Sequence, residues 1–512
     1  MAASSDSGAA ARADSTAGQG ALDDLPFDTT YLNLPEALYA RVDPTPVRDP
    51  RVTRVNRPLA ERLGLDPDVL AGPDGGAVLS GNRVPAGAQP IAMAYAGHQF
   101  GNYVPQLGDG RAVLLGELVD RDGVRRDLHL KGIGRTPFSR MGDGRAHVGP
   151  VLREYLASEA MAGLGIPTSR ALAMATTGER VVREDLYPGA VLARVATSHL
   201  RVGTFQYAHD HCDTDTLRAL ADYAIARHDP ELKHAERPYQ ALLQAVATRT
   251  GRLIGDWMLV GFIHGVMNTD NVSIAGETID YGPFAFMDTY HPSTVYSSID
   301  MWGRYAYQQQ PGIGQWNLYR FAETLLPLLD DDAERAQQAA YDALAAYVPA
   351  FEGRFHAGLR RKLGFAETAE GDLDLATELF DAMARQGADY TLTFRRLCDA
   401  AGADASADGP VRALFADPAP FDAWAERWRA RLAEEGRPDA ERRAAMRAVN
   451  PAYILRRHHV AQATAAAERG DYSVFEELLT LLSAPFDDHP GSEVYAQPPE
   501  PEEAGARTFC GT

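Results

Sequence analysis

Lysine is almost missing from this chain. Only Lys131, Lys233 and Lys362 occur among 50 basic residues in a total of 512, and 70 acidic residues set a net charge of −20. A surface that acidic cannot neutralise a phosphate backbone, which excludes nucleic acid as a partner. Cysteine is scarce too. Cys212, Cys398 and Cys510 cannot build a disulfide framework and point to a reducing, cytoplasmic setting. No apolar run approaches the roughly 20 residues of a membrane-spanning helix. Residues 1–26 are mostly Ala, Ser, Gly and Asp without a hydrophobic signal core, so a disordered tail is expected there. A chain of 512 residues can bury a large core divided over more than one unit, and a monomer is expected.

The most informative stretch begins at His264 and ends at Phe284. It predicts a short strand at 272–274, a turn at Ala275-Gly276-Glu277 and a second strand ending on Asp280. Such a hairpin brings Asn271 and Asp280 together with Asp270 beside them. Two oxygen ligands and a spare carboxylate suit Mg²⁺, which is completed by phosphates and water. Kinase-type phosphotransferases use this layout: an Asn and a later Asp-x-Gly hold metal, and an Asp accepts the substrate proton. In small-molecule kinases of the aminoglycoside type the loop reads His-Gly-Asp, but here Val266 stands where that Asp belongs. Asp270 is the nearby replacement. A base displaced along the loop faces a different part of the nucleotide, so the site looks unsuited to ordinary γ-phosphoryl transfer.

Lys131 ends the alternating run 127–131, a half-buried strand preceded by another at 112–115. Where arginine is otherwise the rule, a lysine on a buried strand indicates a need for a compact ammonium, as phosphate binding does. Residues 151–161 form an amphipathic helix whose Glu154 can reach back to Lys131, with Glu159 as the alternative carboxylate. Two Gly-Asp-Gly-Arg copies bracket this lysine: Gly108, Gly110 and Arg111 in the first, Asp143 and Gly144 in the second. Their glycines permit close backbone approach to phosphate and their amides form anion nests. Arg194 and Arg201 are seven apart, and on a helix would project from one face as a second phosphate clamp.

Together the motifs Ala96-Gly-His-Gln-Phe-Gly101, Gln106-Leu-Gly-Asp-Gly-Arg111, His129-Leu-Lys-Gly132, Ser139-Arg-Met-Gly-Asp-Gly-Arg145, Gly189-Ala-Val-Leu-Ala-Arg194, His264-Gly-Val-Met-Asn-Thr-Asp-Asn271 and Ile279-Asp-Tyr-Gly-Pro-Phe284 closely resemble the selenoprotein O family, the YdiU-type protein adenylyltransferases. The resemblance implies an α+β, protein-kinase-like two-lobed fold that binds ATP in a flipped orientation. It implies transfer of AMP to Ser, Thr or Tyr hydroxyls of protein substrates, with Mg²⁺ (Mn²⁺ as an alternative) as cofactor. Carried over by position, Lys131 and Glu154 are the ion pair. Gly108, Gly110, Arg111, Lys131, Asp143, Gly144, Arg194, Arg201 and Asp280 line the ATP site. Asp270 is the proton acceptor, and Asn271 and Asp280 are metal ligands. Members often carry selenocysteine or cysteine third from the C-terminus, where Cys510 sits. The partner cysteine of some bacterial relatives has no counterpart in Ser293-Thr-Val-Tyr-Ser-Ser298. A γ-phosphate-transferring kinase and a non-catalytic ATP-binding scaffold are the competing functions.

The expected organisation is a nucleotide-binding region at 27–205, a region with the metal hairpin at 206–320, helices over 321–490, and a flexible tail at 491–512 carrying Cys510. Helices are predicted through 242–259, 332–347, 373–386, 421–435 and 452–468, the last with His458 and His459 on its surface. His209, His211 and Cys212 have a metal-like composition, but near-adjacent residues rarely converge on one zinc, so no site is assigned there.

Overall fold

The computed structural model describes residues 22, 23 and 25–500. Expectations for residues 1–21 and for Cys510 lie outside the described residues. Twelve strands occur among them: β1 (Tyr39–Arg41), β2 (Arg51–Val55), β3 (Ile91–Met93), β4 (Gly97–Gln99), β5 (Asn102–Val104), β6 (Ala112–Val119), β7 (Arg125–Lys131), β8 (Ala146–His147), β9 (Arg170–Val182), β10 (Leu186–Ala196), β11 (Phe262–Ile263) and β12 (Ala285–Phe286). One antiparallel sheet runs in the order β1-β3-β6-β7-β10-β9-β2, with β8 pairing to β10. Its centre is apolar: Val113, Leu115, Leu128, Leu130, Val191 and Ala193 are buried together on one side. The class is therefore mixed α and β, as expected.

Register in the sheet places chemistry as well as core. In β7, Lys131 and His129 are two apart and share a face. Across the ladder β10 sets Leu192 opposite Lys131 and Arg194 opposite His129. The opposite, apolar set packs away from the site. Helix Val148–Gly163 lies against β9 and β10, burying Val151, Leu152, Tyr155 and Leu156. That packing carries Glu154 into the same interface.

Helices dominate the rest, among them Val202–His211, Pro238–Leu259, Gln310–Leu329, Ala333–Leu344, Tyr347–Leu363, Asp372–Gln386, Tyr390–Ala400 and Ala419–Glu434. The run expected as one helix over 332–347 is two, because the chain turns at Ala345-Ala346. Asp332 caps the first, its carboxylate accepting Arg335 N at 3.0 Å. Helices Arg457–Ala467 and Ser473–Ser483 pack on Val148–Gly163, with Phe475 edge-on to Tyr155 at 5.4 Å. The C-terminal helices thus support the element that carries Glu154. No helix among the described residues is long and apolar enough to cross a membrane.

Three local expectations need correction. The strand pair near the metal loop is β11 with β12, at the base of residues 264–284, and not 272–274 with 278–280. The inner segments pair outward instead: Val202 N donates to Val272 O and Ile274 N to Leu200 O, while Ser169 N donates to Thr278 O. Their backbone groups find longer partners in neighbouring chain segments than a two-residue ladder could offer. Arg194 and Arg201 do not share a helix; Arg194 is in β10, and Arg201 immediately precedes helix Val202–His211. His458 and His459 are buried rather than on a helix surface, their rings 3.8 Å apart and Tyr495 against His459 at 5.0 Å.

Candidate active site

Asp280 is the centre of a buried cluster of charge. Its Oδ1 accepts from Lys131 Nζ at 3.2 Å and from Arg194 Nη1 at 2.6 Å, and Arg201 Nη1 pairs with its Oδ2. Glu154 is the second anion, with Oε2 2.6 Å from Lys131 Nζ and Oε1 3.1 Å from Arg194 Nη1. Three cations therefore share two carboxylates. Burial alone would push Asp280 towards the neutral acid, but Arg201, Arg194 and Lys131 outweigh it and hold the carboxyl well below its ordinary range. Burial lowers the Lys131 ammonium against the pull of Glu154 and Asp280. A cluster with surplus positive charge and little water is a receptor for anionic oxygen.

Backbone geometry aims these groups. Asp280 has φ +57°, a left-handed conformation that Asp tolerates and most residues avoid. His264 ties the loop's start to its end, its Nε2 donating to Ile279 O at 2.9 Å. On the opposite side Arg194 Nε donates to His129 Nδ1 at 3.1 Å, and His129 Nε2 faces Asp109 Oδ2 at 3.1 Å. His129 must then be the neutral tautomer with its proton on Nε2, a state that burial favours by lowering its pKa. Arg201 is fixed on the Tyr95 ring at 4.7 Å and also donates to Asp270 O at 2.6 Å.

Asp270 differs from Asp280 in environment and in charge state. It occupies the 3-10 turn Thr269–Asn271 beneath the hairpin of β4 and β5. Gln99 Nε2 donates to its Oδ2 at 3.2 Å, while Oδ1 is buried without a hydrogen-bond partner. Burial, only partly opposed by Gln99, pushes the carboxyl up to about 6. The hairpin is fastened to the same loop, with His98 N donating to Thr269 Oγ1 at 2.7 Å and Phe100 N to Asn268 Oδ1 at 3.1 Å. Gly97 is obligatory here, since a Cβ would stand 2.3 Å from Asp270 Oδ1. An unpaired carboxylate oxygen with a pKa near neutrality has the properties of a general base.

The donors also suit a hard divalent cation. Asp270, Asn271 and Asp280 offer only oxygen, the preference of Mg²⁺ or Mn²⁺. Asn271 spends its amide nitrogen on Val266 O at 2.9 Å, which turns its oxygen the other way. The enclosed Asp270 Oδ1 is a further oxygen without a hydrogen-bond partner in this loop. No group of three or more His, Cys, Asp or Glu side chains among the described residues could hold a metal unaided. A cation here would need phosphate and water oxygens to complete its shell, as Mg²⁺ sites in phosphotransferases do.

Residues 21–483 match the family described as protein adenylyltransferase SelO. The chain belongs to that family. Relatives carrying the name protein nucleotidyltransferase YdiU support the assignment to SelO over nearly the full length. The one from Bradyrhizobium sp. (strain ORS 278) is 61% identical over 490 residues, covering 95% of this chain and 99% of the relative. Those from Rhodopseudomonas palustris (strain BisB5) and Alkalilimnicola ehrlichii are each 59% identical at the same coverage.

For this SelO-family chain, the structure brings Lys131, Glu154, Arg194, Arg201 and Asp280 into direct contact, and Arg201 links them to Asp270. Glu159, the alternative partner for Lys131, is engaged elsewhere in a two-pronged pair with Arg170. The two Gly-Asp-Gly-Arg copies flank the chain just after Lys131: Gly132 N donates to Arg111 O, and Gly134 N to Gly144 O. They are not equivalent. Asp109 of the first copy is buried on Met93 N and His129, whereas Asp143 of the second faces outward and pairs with Arg183. Sequence reasoning missed Tyr95, Gln99, Asp109 and His129. His129 was detectable, being two residues from Lys131 on the same strand face. Gln99 carried no such signal, because a hairpin 171 positions away from Asp270 delivers it.

Proposed function

We propose that this protein uses ATP with Mg²⁺, or Mn²⁺ in its place, to transfer AMP to Ser, Thr or Tyr hydroxyls of other proteins. The carrying observation is the contrast between two carboxyls: Asp280, part-buried and paired with three cations, and Asp270, buried with one oxygen unpaired and a pKa near 6. In this reading the sheet region and the segment from 206 onward act as the two lobes of a kinase-like fold, with the nucleotide between them. Lys131, Arg194 and Arg201 bind phosphate oxygens, aided by Arg111 and the backbone at Gly108, Gly110, Asp143 and Gly144. Glu154 keeps Lys131 directed inward. Asn271 and Asp280 would hold the cation, which supplies charge neutralisation at the phosphates when bound.

Asp270 removes the acceptor's proton as its oxygen attacks the α-phosphorus. The new bond is acceptor oxygen to α-phosphorus. The bond that breaks joins that phosphorus to the oxygen bridging to the β-phosphate, and diphosphate leaves with the electron pair. The positive surplus of the cluster stabilises the charge that develops. Membership of a family of protein adenylyltransferases supports this over γ-transfer. ATP labelled separately at the α and γ positions decides between them. Label from the α position on protein hydroxyls, lost in Asp280→Ala, is the expected result; label arriving only from the γ position refutes it.

A further inference from the structure

Large apolar side chains rarely cluster in the open on a soluble surface, and where they do they mark contact with another molecule. Ile299, Met301 and Trp302 are 65%, 83% and 93% exposed within four residues of chain. Side-chain to backbone hydrogen bonds hold the turn that displays them. Asp300 between them is buried, and its carboxylate accepts Arg304 N at 2.9 Å and Tyr305 N at 2.8 Å. Gly303, at φ +66°, completes the turn.

This turn is joined to the candidate active site. The Tyr305 hydroxyl donates to Asn268 Oδ1 at 2.6 Å, two residues before Asp270, and Phe100 packs on the Tyr305 ring at 5.1 Å. Three residues of chain, about 10 Å at most, separate Trp302 from Tyr305, which ties this turn to the loop that carries Asp270. Arg304, next to the apolar trio, lies over Trp316 at 4.5 Å, and no carboxylate among the described residues is within ion-pair reach of it. Its Nε and Nη2 are buried without hydrogen-bond partners. These two nitrogens form one edge of the guanidinium, the edge that Arg170 uses to grip Glu159 with Nε at 2.9 Å and Nη2 at 2.6 Å. An enclosed guanidinium edge left unpaired costs free energy, so a carboxylate delivered there as the turn closes on a partner is strongly favoured.

We propose that residues 299–304 dock the acceptor protein, taking a segment in which the modified hydroxyl is flanked by a large apolar residue and an Asp or Glu. The inference rests on the adenylyl-transfer reading above and names the acceptor class for that site. Trp302 and Met301 cover the apolar residue, Arg304 pairs with the carboxylate, and the hydroxyl reaches Asp270.

The test is a positional-scanning peptide library with one central Tyr, and parallel Ser and Thr sets, assayed with α-labelled ATP. Wild-type protein is expected to favour Asp or Glu and Leu, Phe or Trp at fixed flanking positions. Met301→Ala with Trp302→Ala should lose the apolar preference and about tenfold in kcat/KM for the preferred peptide, through peptide KM, with KM for ATP unmoved. Arg304→Gln should lose only the acidic preference, and Arg304→Lys should restore part of it. Unchanged flank selectivity in these variants, or no selectivity in wild type, overturns the docking proposal and leaves the adenylyl-transfer reading standing. No label transferred by wild type to any peptide or lysate protein overturns both. Self-association in sedimentation that Trp302→Ala abolishes assigns the turn to a second copy instead.

Discussion

Asp270→Asn should make the protein more stable and inactive, and the gain should vanish in acid. The Asp270 carboxyl has a pKa near 6 in the folded chain against an ordinary value of 3.8. A gap of that size corresponds to about 3 kcal/mol of opposition to holding the ionised group in the fold. The sign follows from the raised value. Between pH 4 and 6 the folded state binds the proton more tightly than the unfolded state, so stability falls as pH rises through that window and is flat above it. Asparagine does not titrate and keeps the Gln99 contact, but it places an amide nitrogen where Oδ1 now lacks a partner. That unsatisfied group returns about 1 kcal/mol, for a net gain of about 2 kcal/mol at pH 8. Urea denaturation of both proteins from pH 4 to 8, without nucleotide or metal, measures the difference. A variant no more stable than wild type at pH 8, or a gain that grows towards pH 4, would refute the assignment of Asp270 as a buried carboxyl kept for chemistry.

The same carboxyl predicts that AMP transfer falls about tenfold from pH 7 to pH 5, following the fraction of Asp270 ionised, and a flat profile over that range excludes it as the base. Lys131→Arg should lose at least 10²-fold in kcat/KM, roughly the loss of one charge-stabilising donor, because a guanidinium does not fit between Glu154 and Asp280; near-normal turnover would show that any cation serves. Gly97→Ala should abolish transfer and lower the urea midpoint, since its methyl would meet Asp270 Oδ1 at 2.3 Å; an active Gly97→Ala would mean that the hairpin is free to move away. His129→Phe should raise KM for ATP several-fold by freeing Arg194 to rotate, with His129→Asn restoring part of it through an accepting oxygen, and two variants with equal KM would remove His129 from any positioning role.

The sequence made local chemistry legible and left long-range assembly dark. Strand β7 and helix Val148–Gly163 were visible because their apolar spacing is set by one sheet face and one helix stripe, which need no knowledge of the rest. Residue type alone left Glu154 and Glu159 both open as partners of Lys131, and the contact in the structure is with Glu154. The loop at 264–284 was given the wrong backbone, since short segments such as 272–274 and 278–280 take whichever partner the tertiary fold supplies, here residues 200–202 and 167–169. Arg194 and Arg201 converge on Asp280 from a strand and a helix start, whereas their seven-residue spacing had suggested one helix face. Asp109 and Gln99 lie inside motifs the sequence displays, but their contacts were invisible for a related reason. Their partners lie 20 and 171 positions away, and nothing in a single sequence encodes that closure.

The crowding around Asp280 has a consequence for the order of events. Both its oxygens are already occupied, by an ammonium and two guanidinium groups. A bare divalent ion arriving alone would have to evict those groups and strand them in a dry interior. Were a polyphosphate to come with the ion, the same three side chains would be free to pair with its oxygens and Asp280 to pair with the ion. Loading then becomes an exchange of partners in which no charge is ever abandoned, and nucleotide and metal should enter hand in hand.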